Sequence, residues 1–219
     1  GAFIGFGGLG NTIASQTFAG IDPGVAKLIG AAVFPVGLML VVICGAELFT
    51  GNNLMTLALM NNKITGGQMV KNWCVVWVGN LVGSIALALI VFYGDVLTGD
   101  AATKAIAIAE GKAGLDIMTM ILRGILCNIL VVLAVWMATS AQDIISKIFS
   151  CWFPIMLFVL CGFEHSVANM YFVNLTENDK RTKHELAELA REMFGDPEII
   201  EKIEQSNHTE AFNNFTLHP

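Results

Sequence analysis

Long uncharged intervals divide the first four fifths of the chain into segments of membrane length. They are bounded by single charged residues and cover 1–21, 28–46, 72–94 and 124–142. An apolar stretch of about 18 or more residues can cross the hydrocarbon core as a helix, at about 1.5 Å per residue. Several intervals meet that length, so the pattern predicts an all-α polytopic membrane protein.

Two of the apolar segments carry the same interruption. Phe34-Pro35 leads to Cys44-Gly45-Ala46-Glu47, and Phe153-Pro154 leads to Cys161-Gly162-Phe163-Glu164. Proline removes a backbone hydrogen bond, and the Gly- and Asn-rich residues that follow favour turns. Each segment is therefore predicted to form two half-helices around an irregular loop. Interrupted spans at corresponding positions of two halves indicate a transport site built from broken helices, and here the halves would be inverted in the membrane.

The rest of the chain divides into a membrane core and a charged segment. Residues 72–94 and 118–139 are predicted to be continuous spans, and the charged stretch from Asp95 to Asp116 a long loop. We expect residues 1–173 to form a core of about five spans, the first one partial, in a chain cut before a sixth span. Residues 174–219 form an acidic segment with predicted amphipathic helices at 183–194 and from 196 to 204.

Composition excludes several classes of protein. Only 14% of the residues are charged and 55% are hydrophobic, whereas about a quarter of the residues in a soluble domain are charged. The net charge of −6 argues against nucleic-acid binding. Lys63, Lys71 and Lys147 lie in short links on one side, which the positive-inside rule assigns to the cytoplasm, so 174–219 would lie outside. No enzyme, cofactor or metal signature is present, and the five cysteines have no metal-ligand spacing.

Ionisable groups at membrane depth are the candidate functional residues, because they are costly there. Glu47 and Glu164 either serve a pathway or accept bonds from backbone N–H groups freed at the breaks, and the second role is favoured. His165 can change charge near neutral pH, and Thr50 in the other broken span offers a hydroxyl. Four apolar residues near the breaks either constrict a lumen or pack in the core, and periodicity alone favours packing: Phe34, Leu38, Leu48 and Phe158.

Four motifs in order along the chain resemble the formate/nitrite transporter family. The first is Gly45-Ala46-Glu47-Leu48-Phe49-Thr50-Gly51-Asn52, and the last is residues 162–170, beginning Gly162-Phe163-Glu164-His165. Between them lie Lys71-Asn72-Trp73 with residues 79–83, and Cys127-Asn128 with residues 133–137. Together they span nearly all of residues 1–172.

The resemblance implies an aquaporin-like fold of six spans, assembled as a homopentamer with one pore in each protomer. It implies passage of formate, nitrite or hydrosulfide across the bacterial inner membrane. It places Phe34, Leu38 and Leu48 on one constriction and Phe158 on the other, and His165 at the centre with the Thr50 hydroxyl. Further family positions are taken by Asn128, by Lys112 at an outer vestibule, and by the loop-structuring residues Glu47, Glu164 and Asn169.

These observations lead to a transport hypothesis. A small weak-acid anion, formate first, gathers at a positive vestibule, meets hydrophobic rings, and is protonated or hydrogen-bonded by His165. Alternatives within the same family are a nitrite or a hydrosulfide channel. Outside it, a water or neutral-solute channel and a non-transporting membrane scaffold stay open.

Overall fold

The computed structural model describes residues 1–175, and this part of the chain is helical with no strand. Short 3-10 turns cover Thr17–Gly20 and Asn52–Leu54. The α-helices, in chain order, are α1 (Ala2–Ser15), α2 (Pro23–Val33), α3 (Val36–Cys44), α4 (Met55–Met60), α5 (Gly66–Tyr93), α6 (Asp100–Ala113), α7 (Ile117–Ser140), α8 (Ile144–Cys161) and α9 (166–175).

Four helical segments are long and apolar enough to cross a membrane within the described residues: Pro23–Cys44, Gly66–Tyr93, Ile117–Ser140 and Ile144–Cys161. The prediction of a multi-pass α-helical membrane protein is confirmed. Polar residues at the span boundaries cap helix N-termini, where backbone N–H groups lack helical partners. Asp22 caps α2, Asp116 caps α7 and Asp143 caps α8, while Thr65 and Gln68 form a capping box at α5.

Both predicted breaks are present, and their backbone geometry is nearly identical. After α3, Gly45 adopts φ 71° and ψ 35°; after α8, Gly162 adopts φ 72° and ψ 34°. This left-handed conformation suits glycine, which has no Cβ to clash with the following carbonyl. The chain then runs irregularly before helix resumes at Asn52–Leu54 and α4 in the first case, and at residue 166 in the second.

The glycines of α1 allow close helix packing. A Cβ on Gly7 would lie 2.5 Å from the Phe34 carbonyl oxygen, at the junction of α2 and α3. Cβ atoms on Gly5 and Gly8 would each lie 3.1 Å from the ring of Tyr171, which is fully buried on α9. Small residues let helix backbones approach each other closely in lipid.

The prediction of a long loop between Asp95 and Asp116 is wrong, because residues 100–113 form helix α6. Alanine has the highest helix propensity, and the buried face of α6 consists of Ala101, Ala102, Ala105 and Ala109. Asp100 in the first turn and Lys112 in the last also complement the helix dipole. Four of the charges that indicated a loop lie on this helix outside its alanine face, and Asp95 and Asp116 flank the helix. The helices predicted at 183–194 and 196–204 lie outside the described residues.

Candidate functional site

The two broken helices meet at a buried hydrogen bond in the middle of the bundle. Thr50 Oγ1, in the loop after α3, lies 2.9 Å from His165 Nε2, in the break after α8. Thr50 is 6% exposed and His165 is 3% exposed. The bond joins residues 115 positions apart. The juxtaposition of Thr50 and His165 that the sequence suggested is thus present in the structure.

The second ring nitrogen of His165 identifies the tautomer. The backbone N–H of Ala168, in the first turn of α9, donates to His165 Nδ1 over 3.1 Å. A nitrogen that accepts a hydrogen bond cannot carry a proton, so the neutral ring has its proton on Nε2. His165 Nε2–H therefore donates to Thr50 Oγ1, and the Thr50 hydroxyl proton is free to be donated onward. This assignment follows from the hydrogen-bond network.

Apolar side chains surround the His165 end of this pair. Phe34, Leu38, Leu48, Phe158 and His165 all line one small cavity of about 10 Å³. Phe34 meets Phe158 edge to face, with ring centroids 5.7 Å apart, and the Phe158 ring stacks on the imidazole at 5.7 Å. The four residues predicted as lumen-lining are therefore adjacent to His165. Their predicted division is wrong, because Phe34 packs with Phe158 rather than on a separate constriction.

A wider cavity of about 260 Å³ opens on one side of the small cavity. Phe34, Phe158 and His165 form its floor, and α6 and α2 supply charged side chains to its wall. Three of its lining residues are lysines and one is an acid: Lys27, Lys104, Lys112 and Glu164. We call it the outer cavity; by formal charge its wall is positive.

Lys112 pairs with Glu164 inside the outer cavity. Its Nζ lies 2.7 Å from Glu164 Oε2, and the two side chains are 18% and 8% exposed. Asn169 Nδ2 donates to the same oxygen over 3.0 Å. The expected partners of this carboxylate were backbone N–H groups. Side chains supply its bonds instead, because α6 brings an ammonium group to the break.

Glu47 is bound by an amide. Asn52 Nδ2 donates to Glu47 Oε2, and the same amide nitrogen contacts Asn72 Oδ1 on α5 over 2.8 Å. The expectation of backbone donors is also wrong here. Glu47 and Glu164 nevertheless share one device, since each accepts a bond from an asparagine five positions later.

Amide and indole groups from neighbouring spans hold the first broken loop. Asn128 on α7 donates to the Thr50 carbonyl oxygen over 2.8 Å and accepts from Asn53. Trp73 Nε1 donates to the Asn52 carbonyl oxygen over 3.1 Å. Asn128 was predicted in the substrate pathway; it bonds to the backbone beside Thr50 and does not line either cavity described above.

Sequence reasoning missed several residues of the site. Lys27 and Lys104 line the outer cavity, and Asn80 bonds to the first loop. The sequence could have indicated Lys27, because this residue directly precedes the uncharged interval 28–46, which contains the first break. Nothing in the sequence indicated Lys104, because it falls in the stretch that was interpreted as a loop. Asn80 was visible as a polar residue inside an apolar span, without an indicated partner.

Two inverted half-helix pairs that meet at a buried histidine and threonine define a membrane channel of the aquaporin-like, broken-helix class. Comparison with known proteins gives the family. The formate/nitrite transporter family model matches residues 1–186. This chain belongs to the formate/nitrite transporter family.

Relatives carry the names of channels and transporters. The chain is 45% identical over 192 residues to a probable formate transporter of Methanothermobacter thermautotrophicus, covering 79% of this chain and 70% of that protein. It is 39% identical over 165 residues to the formate channel FocA of Escherichia coli, covering 74% and 58%. It is 35% identical over 180 residues to the nitrite transporter NirC of Escherichia coli, covering 78% and 63%.

Solved structures of similar shape belong to the same family. One, described as a pentameric formate channel with formate bound, has a TM-score of 0.75 at 30% identity and covers 98% of this chain and 87% of its own. Another, described as an FNT family ion channel, has a TM-score of 0.75 at 34% identity, with coverage of 80% and 70%.

Proposed function

We propose that this chain conducts small monovalent weak-acid anions, formate first, through a pore in each protomer of a homopentamer in a bacterial inner membrane. The observation that carries the proposal is the Thr50–His165 hydrogen bond of 2.9 Å, buried behind apolar rings and next to a lysine-lined cavity. The substrate and the assembly are supported by relatives named as formate channels, one of them pentameric.

The outer cavity favours anions over cations and neutral solutes. Its wall holds three lysines against one glutamate. A cleft lined by one sign of charge raises the local concentration of the opposite ion. Phe34 and Phe158 lie at its floor, where a bare anion loses its hydration without full compensation. The neutral acid passes the apolar region at far lower cost, so proton uptake would precede or accompany passage.

His165 acts as a neutral hydrogen-bond donor in this proposal. An imidazolium ion needs a second proton on Nδ1, where it would face the Ala168 N–H that now lies 3.1 Å away. Two donors facing each other repel, so the geometry favours hydrogen bonding over protonation by this ring. His165 Nε2–H donates to Thr50, and the Thr50 hydroxyl donates to the anion. Such chains of hydrogen bonds polarise and strengthen one another. The anion takes its proton from a hydronium ion of the water that fills the outer cavity, which leaves a water molecule behind.

Topology completes the proposal. Lys63, Lys71 and Lys147 face the cytoplasm, as the positive-inside rule expects. Helix α5 crosses from that side to the side of α6, so the outer cavity opens to the exterior. The acidic segment 174–219 lies outside as well.

Flux measurements test the proposed substrate. Formate, nitrite and hydrosulfide uptake would be measured in proteoliposomes at two pH values, with glycerol swelling measured in parallel. We expect formate uptake that rises as the pH falls, and no glycerol swelling. Swelling without anion uptake would support a neutral-solute channel instead, and the absence of all flux would support a scaffold.

Replacement of His165 tests the role of the ring. Asparagine is shorter than histidine and cannot gain a charge, so His165→Asn should lose the bond to the Thr50 hydroxyl and lower formate flux by about fivefold, the value of one net hydrogen bond. The shape of the pH profile should not change. A shifted profile would contradict the neutral-donor role and favour proton transfer by His165. Asn61→Ala, an exposed amide at the end of α4, serves as the control.

A further inference from the structure

Asn80 lies on α5, and its side-chain amide bonds twice to the backbone of the first broken loop. Its Oδ1 accepts from the Phe49 N–H over 2.9 Å, and its Nδ2 donates to the Glu47 carbonyl oxygen over 3.0 Å. The residue is 4% exposed. The two backbone groups flank Leu48 on either side, so the amide bridges the loop at that single residue.

A carboxamide is the group that fits both partners. Glu47 offers an acceptor and Phe49 a donor, and neither lies in a regular helix. Asparagine presents one acceptor and a donor on adjacent atoms, whereas an apolar side chain of the same size presents neither. Both bonds are partly shielded from water, and a backbone group that loses such a partner loses about the net free energy of one hydrogen bond. The loop conformation around Leu48 therefore depends on the Asn80 amide.

Leu48 is the residue whose position this bridge determines. It is 2% exposed and lines the small cavity between Phe34, Phe158 and His165. The neighbouring part of the loop is held by other groups, since Asn128 binds the Thr50 carbonyl oxygen over 2.8 Å. Loss of the Asn80 bonds would release Leu48 while the Thr50 backbone keeps a bond of its own.

We propose that Asn80 is a positioning residue for selectivity: its two bonds hold Leu48 in the constriction and so determine the largest anion that passes. This inference rests on the proposed function. The tests compare the ratio of lactate to formate flux with the ratio of the native protein at the same pH. That comparison removes the effect of pH on the acids themselves.

Asn80→Asp is the informative variant. A protonated carboxyl group has one O–H donor and one carbonyl acceptor, as asparagine does, whereas a carboxylate has only acceptors and would repel the Glu47 oxygen. The lactate-to-formate ratio should be native at low pH and rise by about fivefold at high pH, the equivalent of one net hydrogen bond. Asn80→Ala should raise the ratio at every pH, and Asn61→Ala should leave it unchanged. Ratios that stay native in both Asn80 variants would overturn the proposal, as would an equal fall in both fluxes.

A second measurement does not depend on transport. Amide hydrogen exchange over residues 45–53 should be faster in Asn80→Ala than in the native protein, with α7 unaffected. Unchanged exchange in that loop would overturn the bridge itself. If the native protein carried no anion, the proposed function would fail while the exchange result still decided whether Asn80 holds the loop. If Asn80→Ala did not fold, Asn80→Asp at the two pH values would decide alone.

Discussion

The two breaks share a backbone and differ in their charge. Gly45 and Gly162 have dihedral angles within 1° of each other, and each following glutamate accepts a bond from an asparagine five positions on. Glu164, however, is 8% exposed and paired with Lys112, whereas Glu47 is exposed and contacts no Lys or Arg within residues 1–175.

They also differ in what holds them. The first loop is long and is fixed by side chains of other spans, among them Asn80 and Asn128. The second is short: three residues separate Gly162 from helix α9, and Ala168 N–H binds the His165 ring. The two repeats therefore end their first half-helix in the same way, but the contacts that hold the following loop differ between them. The first loop carries Leu48 and Thr50, and the second carries His165 and the charged pair of Glu164 with Lys112.

The largest expected effect comes from removing the charge at each break. Glu164→Gln leaves the Lys112 ammonium without its counter-ion in a mostly buried site, and we expect the free energy of unfolding to fall by about 2 kcal/mol. Glu47→Gln changes an exposed carboxylate bound by amides, and we expect a loss under about 1 kcal/mol. Unfolding in mixed detergent micelles, followed by tryptophan fluorescence, measures both.

A double variant controls for the new amide at position 164. Lys112→Met combined with Glu164→Gln removes both charges, and it should be more stable than the sum of the two single changes implies. Equal losses for Glu47→Gln and Glu164→Gln would contradict the electrostatic difference between the breaks.

Replacement of the two glycines should have a smaller effect, and it tests the left-handed conformation that the two breaks share. Gly45→Ala and Gly162→Ala each force a Cβ into the left-handed region, and each should cost about 1 kcal/mol. A Cβ on Gly45 meets nothing within 4 Å, and one on Gly162 meets only Lys27 Nζ at 3.8 Å, so strain alone decides both. Gly66→Ala at the start of α5 is the control, since its Cβ also meets nothing and its φ is not positive. Clearly unequal losses at positions 45 and 162 would contradict the shared geometry.

Local features of the sequence were sufficient to predict both breaks. The proline, the Cys-Gly-x-Glu run and the polar residues after it are contiguous, so each interruption can be found without tertiary contacts. The pairing of Thr50 with His165 was suggested because each residue follows a break, and the family resemblance placed the two together. Helix α6 was missed because its apolar face is made of alanines, which contribute little to hydropathy although they favour helix.

The partners of the loop residues were not predictable from local sequence. Glu164 with Lys112 and Asn80 with Glu47 are 52 and 33 positions apart, and many polar side chains could satisfy each group. Which of them does so depends on how α5 and α6 pack. The sequence identified the polar residues that lie inside apolar segments. Their binding partners were identified only from the folded structure.

The smallest expected effect lies at the start of the second broken helix. Asp143 accepts bonds from the Ser146 N–H and hydroxyl, 2.8 and 2.7 Å away, and the Ser146 side-chain bond foremost lowers the pKa of Asp143. A lowered pKa means that the carboxylate stabilises the folded chain above the usual Asp range, and that this contribution is lost as the pH falls through the lowered value. Asp143→Asn keeps a cap without a charge, so its Tm should be slightly below native at neutral pH and equal to native in acid. Ser146→Ala should shrink that difference. Asp143 is exposed, so its charge should stabilise the protein less than the charge of the buried Glu164 does. A loss of stability in Asp143→Asn as large as that in Glu164→Gln would contradict this order.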